Sequence, residues 1–328
     1  MASEVIAASG ARVDVYDAMP SAGRKFLMAG KGGLNLTHSE PQEPFLTRYG
    51  ARRKQVEPWL AAFSPEALRA WAHALGVETF IGSSGRVFPK DMKAAPLLRA
   101  WLRRLREAGV TFHMRHHWRG WNKSGALIFD TPQGEINARS DATLLALGGG
   151  SWARLGSDGA WTALLAARGV TIAPLRPANC GFDCAWSEHF QTRYAGHPVK
   201  SVIATYIDDR RVLHRQQGEF IVTDFGIEGG AIYALSAPLR DAIAVQGSAT
   251  LHLDLAPGRD LSRLTCDLSE SRGKRSLSNH LQNKAGISGV KAGLLRELTS
   301  AAERADPVQL AARIKALPLH LTAPRPLD

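Results

Sequence analysis

The chain has 328 residues and a formal net charge of +11, from 41 basic and 30 acidic side chains. Apolar residues make up 45% and charged residues 22%, close to the globular average, which excludes a disordered chain and a fibrous repeat. No apolar run approaches the ~20 residues that cross a bilayer, so a transmembrane helix is excluded too.

The length predicts two or three domains, or one large α/β domain with an insertion. Residues 1–17 lack the basic and long apolar regions of a secretory signal. The three cysteines, Cys180, Cys184 and Cys266, are too few for a disulfide framework, so a cytoplasmic setting is expected. The excess positive charge attracts anions such as nucleic acid, anionic lipid or phosphate-bearing cofactors. The basic clusters at 48–54, 103–106 and 272–275 are short and scattered. They fit solvated faces better than a groove, and nucleic acid is not the expected partner.

In chain order, residues 3–9 have helical composition, Gly10 stops them, and 12–17 (RVDVYD) alternates as a strand does. Helix, glycine, strand and terminal acid form the second half of a dinucleotide-binding βαβ unit, in which the acid accepts hydrogen bonds from a ribose diol; Asp17 stands at that position. An ordinary strand after a short helix gives the same pattern. Residues 21–39 (SAGRKFLMAGKGGLNLTHS) interleave Gly23, Gly30, Gly32 and Gly33 with Arg24, Lys25 and Lys31. Glycines let backbone approach a ligand closely, and cations beside free N–H groups suit a diphosphate.

A helix is predicted at 64–76, with Ser64 as N-cap and Pro65 in its first turn. Residues 85–89 (GRVFP) are extended. A second helix at 94–109 carries Leu97, Leu98, Trp101, Leu102 and Leu105 on one face. Short strands follow to residue 139. The run 142–147 (ATLLAL) reads as a buried parallel strand delivering the glycine turn Gly148-Gly149-Gly150, the place where α/β sheets bind ligands. A helix is expected at 159–168. After Pro174 the pattern turns to strands, at 199–208, 211–214, 219–223 and 250–255, and residues 260–317 are helical, most clearly at 294–304.

These motifs in order resemble the BaiN/RdsA-like NAD(P)/FAD-dependent oxidoreductases. The resemblance rests on Gly23-Arg24-Lys25 followed by the glycine loop and Asn35-Leu36-Thr37. It also rests on 85–89, Leu147-Gly148-Gly149 before the turn 156–159 (GSDG), 175–178 (LRPA), 223–236 (TDFGIEGGAIYALS) and 251–255 (LHLDL). It covers essentially the whole chain. The resemblance implies an α/β fold: an FAD-binding two-dinucleotide-binding, Rossmann-like domain with an inserted β-barrel-like domain and a small helical subdomain. It divides the chain into an FAD-binding domain at 1–173 lacking its first strand, an inserted β-rich domain at 174–258 with 318–328 as a returning strand, and a helical subdomain at 259–317.

By the same resemblance Asp17 holds the adenosine ribose, and Arg24 and Lys25 are the cationic pair beside the cofactor. Gly30, Gly32 and Asn35 approach the diphosphate and flavin, Gly148 and Gly149 form the glycine turn, and the 117–118 region, with Trp118, meets the adenine. Leu34 stands where the family commonly has Cys, and Leu147 where it commonly has Thr, so no thiol chemistry is expected there. The first strand with its glycine fingerprint is expected before residue 1 and the closing segment after residue 328, so the chain reads as truncated at both ends, which bears on its hold on FAD.

The implied chemistry is hydride transfer from NAD(P)H through flavin to a small organic substrate with an activated double bond. No side chain stands out as the catalytic acid or base; Tyr233 is a candidate proton donor. His113, His116 and His117 lack a carboxylate or Cys partner at metal-ligand spacing, Cys180 and Cys184 are spaced C-x3-C, and no G-x-S-x-G elbow lies near a strand end. The alternatives are an inactive flavoprotein fragment and a basic nucleic-acid-binding protein on a dinucleotide fold.

Overall fold

The computed structural model describes residues 1–29 and 32–327. The chain divides into two units, Met1–Ala173 and Pro174–Leu327.

In the first unit, helix Ala2–Ala8 buries none of its residues. The chain then turns at Gly10, whose φ of +85° suits glycine. Strand Asp14–Asp17 pairs in parallel with Thr111–Met114, Asp14 opposite Thr111 and Asp17 opposite Met114. Parallel neighbours need a long crossover, and here it is mostly helical. It holds helices Arg24–Ala29, Gln42–Thr47, Arg53–Ala62, Pro65–Ala74 and Ala94–Glu107. A three-stranded antiparallel sheet with Arg86–Pro89 between Thr37–His38 and Thr79–Ile81 lies in the same crossover.

Local chemistry sets these elements. Ser64 caps Pro65–Ala74 by accepting the Ala67 N–H at 3.2 Å. Ala94–Glu107 buries Leu97, Leu98 and Leu105 at helical spacing. Leu97 joins Leu34, Ala72 and Ala94 in a small core, with Phe26, Leu36 and Trp71 packed against it. Helix Ala2–Ala8 is held by one carboxylate. Glu4 accepts the indole N–H of Trp71 at 3.1 Å and of Trp101 at 3.0 Å, and pairs with Arg104 at 2.6 Å. A second antiparallel sheet, His117–Trp121, Leu127–Thr131 and Gly134–Ala138, has a bulge between Trp118 and Gly120.

Two expectations change in this unit, and one helix is new. Residues 142–147 enter no strand ladder among the described residues, and 142–146 are exposed, Leu144 to 60%. An apolar run is buried only where a neighbour pairs with its backbone and covers its faces, and none of the described strands does so. The glycine-rich stretch 21–39 contains the helix Arg24–Ala29. Helix Arg53–Ala62 overlaps the basic cluster at 48–54 only at its start, and no element is expected over the rest of it. It buries no residue and carries Pro58, so its apolar periodicity is weak.

The second unit is a closed sheet with helices on it. Its strand order is Leu317–Leu321, Ala249–Asp254, Pro198–Ile207, Leu213–Val222, Gly226–Glu228, Phe182–Asp183, Ala323–Pro324. The first and last members are separated only by Thr322, whose N–H bonds the Asp183 carbonyl at 3.0 Å. One stretch of chain thus forms both ends of the sheet, and the sheet closes on itself as a barrel, which removes its edges. The expected strands 211–214 and 219–223 are one strand, Leu213–Val222.

Alternate residues face inward, so Leu251, Leu253, Leu317, Leu319 and Leu321 are fully buried or nearly so. Helices Leu261–Ser269, Leu277–Ala285, Gly289–Leu298 and Pro307–Lys315 contribute Leu264, Leu281, Leu294 and Ile314 to the same core. The expected helix at 294–304 is two helices. Thr299 is extended, and Ser300 starts Ala301–Ala305 with a reciprocal capping box to Glu303. Among the described residues no helix is long and apolar enough to cross a membrane.

Candidate functional site

Ligands of α/β sheets bind beyond the carboxyl ends of the parallel strands. At that end of Asp14–Asp17 several chain segments meet. Asp17 Oδ1 accepts the Met19 N–H at 2.8 Å, and the Asp17 carbonyl accepts the His116 N–H at 3.0 Å. Asp17 Oδ2 has no hydrogen-bond partner among the described residues, so it is available as an acceptor. The Met19 carbonyl takes the Arg115 N–H at 3.0 Å, and Met19 packs so closely on Gly156 that a Cβ there would lie 2.9 Å from its Cγ. Gly156 also has φ +87°, so glycine is required twice over.

The glycine turn joins this cluster from the other side. Gly148 has φ +73°, and a Cβ on it would lie 3.4 Å from the Ser157 hydroxyl. Gly149 has open space beside its Cα. Lys25 reaches the same loop: its Nζ lies 3.1 Å from the Ser151 carbonyl, 3.0 Å from Ser151 Oγ and 3.0 Å from Ser157 Oγ. Arg24, exposed beside it, has no ion-pair or hydrogen-bond partner among the described residues. Gly23, with φ +74°, lets this helix start approach Ala94–Glu107, since a Cβ would lie 2.8 Å from Leu98.

The structure therefore brings together Asp17, Lys25, Gly148 and the start of the 115–118 segment. Gly32 and Asn35 are exposed on a stretch anchored by buried Leu34, whose N–H bonds the Met92 carbonyl at 3.0 Å. That stretch is tied to the Arg24 helix through the packing of Phe26 and Leu34 in one core. Gly30 lies outside the described residues. Trp118 stacks edge-on to Trp121 at 4.8 Å, and among the described residues its indole nitrogen is buried without a partner, as is that of Trp161. Ser151, Met19 and Trp161 carry no sequence motif of their own, and Ser157 stands inside the 156–159 turn.

The other candidates have structural partners. His113 bonds Asp14 at 2.8 Å and stacks on Tyr16 with centroids 4.5 Å apart. That hydrogen bond, then Arg12, holds the Asp14 carboxyl below its usual range. His116 Nδ1 lies 2.8 Å from the Met114 carbonyl. Among the described residues no group of His, Cys, Asp and Glu is placed to hold a metal. The three cysteines are free, and burial pushes the Cys184 thiol far up. Partial burial and then Glu228 raise the Tyr233 phenol. In the 48–54 cluster Arg48 pairs with Glu40, and Arg53 with Glu43 at 2.9 Å.

The donor set fits an anionic dinucleotide such as FAD. Among the described residues one Asp17 carboxylate oxygen has no partner and can accept from a ribose hydroxyl, the Arg24 guanidinium is unpaired, and backbone at Gly149 is open to close approach.

Known proteins point the same way. The model of the HI0933-like protein Rossmann domain matches residues 1–304. A 3-dehydro-bile acid delta(4,6)-reductase of Clostridium scindens is 24% identical over 254 residues, 77% of this chain. The chain spans 60% of that relative's length. A glycine oxidase of Bacillus cereus aligns over 74% of this chain and 73% of its own, at 12% identity and a TM-score of 0.25, too low to carry an argument. With its motifs in order and the match running from residue 1 to 304, the chain belongs to the HI0933-like Rossmann family, the BaiN/RdsA-like flavoprotein oxidoreductases that the motifs resemble.

Proposed function

We propose that this chain belongs to an FAD-dependent oxidoreductase that takes hydride from NAD(P)H and delivers it to an activated double bond of a small organic substrate. The observation that carries this reading is the Asp17 carboxylate oxygen left without a partner among the described residues at the end of a parallel strand, linked through Met19 and the 156–157 turn to Gly148. A dinucleotide's ribose and diphosphate need an acceptor and a close backbone approach at that place. The related reductase supports the reaction class by its name.

Bound FAD would supply the hydride-accepting and hydride-donating ring. The chain's own groups bind and orient. Asp17 Oδ2 accepts from the ribose diol, the Arg24 guanidinium balances phosphate charge, and glycine backbone leaves room for the cofactor. Trp118 Nε1 offers a buried donor to an acceptor on the adenine side.

The test is spectroscopic. Purified protein, with FAD added if needed, is expected to absorb near ~450 nm as flavoproteins do, and to bleach under NADH or NADPH without oxygen. A protein that stays colourless and leaves added FAD fluorescence unquenched overturns the reading.

A further inference from the structure

Lys25 and Arg24 adjoin in sequence and both are cations, yet only Lys25 reaches the loop that follows the glycine turn. An ammonium group has three N–H donors and no acceptor. Lys25 has three acceptors within 3.0–3.1 Å of its Nζ: the Ser151 carbonyl, Ser151 Oγ and Ser157 Oγ. Its donors are spent within the protein. Arg24 carries a guanidinium with no partner among the described residues.

The segment that Lys25 grips is strained at one residue, although its short turn has the internal bonds Leu155 N–H to Trp152 carbonyl and Gly156 N–H to Ala153 carbonyl. Trp152 sits at φ +63°, ψ +54°, a left-handed conformation that side chains with a Cβ rarely adopt. Such backbone persists only where surrounding contacts fix it. Lys25 bonds the carbonyl of Ser151, the residue just before Trp152, and the hydroxyl of Ser157 just after the short turn Ala153–Leu155. Ser157 is 4% exposed and lies under Gly148. One side chain thus ties both ends of the strained turn, and through Ser157 it sets the height of the glycine backbone.

We infer that Lys25 is a positioning residue that staples the 148–157 loop, and that Arg24 alone of the pair meets the anionic group of the dinucleotide. The inference deepens the proposed FAD site and rests on it for the ligand, while the staple itself does not depend on FAD.

Hydrogen exchange on the full chain without FAD tests the staple. In Lys25→Met, the hydrogen-bonded amides of the 148–157 loop, Leu155 and Gly156, are expected to exchange at least about tenfold faster while those of the barrel unit stay unchanged. Ser157→Ala, a milder change, is expected to loosen the same amides less, and the double variant to match Lys25→Met alone, because both act on one contact. FAD titration at low and high salt then separates the two cations. Arg24→Met is expected to flatten the salt dependence of affinity, and Lys25→Met to weaken affinity at every salt concentration with the dependence kept.

Unchanged exchange at 148–157 in both Lys25→Met and Ser157→Ala overturns the staple. A flattened salt dependence in Lys25→Met overturns the division of roles between the two cations. If the wild-type chain binds no FAD, the functional reading fails, and the exchange result still decides the staple. If Lys25→Met does not fold, Ser157→Ala decides it.

Discussion

The two units solve the problem of sheet edges in opposite ways. In Pro174–Leu327 the stretch Leu317–Leu321, Thr322, Ala323–Pro324 closes the sheet, and one core runs from Cys180 to Leu321 through both strands and helices. In Met1–Ala173 the parallel pair has two members among the described residues. Its Asp14–Asp17 strand is half-buried throughout, and the core around Leu34 and Leu97 is small. Closure concentrates stability where no chemistry is proposed. The open unit carries the candidate site on glycine turns, a strained Trp152 and polar tethers.

The largest effect is expected from the barrel core. Phe220 is fully buried, and Phe220→Ala should cost about 3–5 kcal/mol by urea unfolding. A cost below about 1 kcal/mol would mean that the core is looser than its burial implies. Next comes the tether of the open unit. Glu4→Gln removes the charge that accepts from Trp71, Trp101 and Arg104, and should cost about 1–3 kcal/mol while shifting tryptophan emission. Unchanged emission would show that helix Ala2–Ala8 is not held there.

A smaller, pH-dependent effect belongs to Glu303. Hydrogen bonds from the Ser300 backbone and hydroxyl, then Arg313, lower its carboxyl from 4.5 to about 2. A folded value below the unfolded one stabilises fully above about pH 5 and is lost as pH falls toward 2. Glu303→Gln should therefore lower the melting temperature near neutral pH and matter little near about pH 2. An equal loss at both ends would refute the ionic origin. The smallest effect contrasts with the first. Leu144, 60% exposed within the most apolar run of its unit, should tolerate Leu144→Ser within about 0.5 kcal/mol. A larger loss would show that the run is covered in solution.

The elements that the sequence made legible are those with strong local chemistry. The Ser64 cap, the leucine face of Ala94–Glu107 and the strand ending in Asp17 were all visible, because capping and periodicity act within a few residues. The break between Leu298 and Ser300 was not, since apolar spacing continues across it and only the capping box marks the new start. The site was half legible. Asp17, Arg24, Lys25, Gly148, Gly149 and the 156–159 turn with Ser157 carry motifs, whereas Ser151 and Met19 acquire meaning only from their partners in the fold.

By itself the sequence determined the class of protein. Motif order placed it among the Rossmann flavoprotein oxidoreductases, and composition excluded a disordered or fibrous chain. Tertiary structure decided what no local window contains. It closed the barrel through Thr322, left 142–146 exposed despite their apolar character, and turned Lys25 toward Ser151 and Ser157. Each of these depends on groups far apart in the chain, and burial or donor saturation is a property of such neighbours and not of the residue alone.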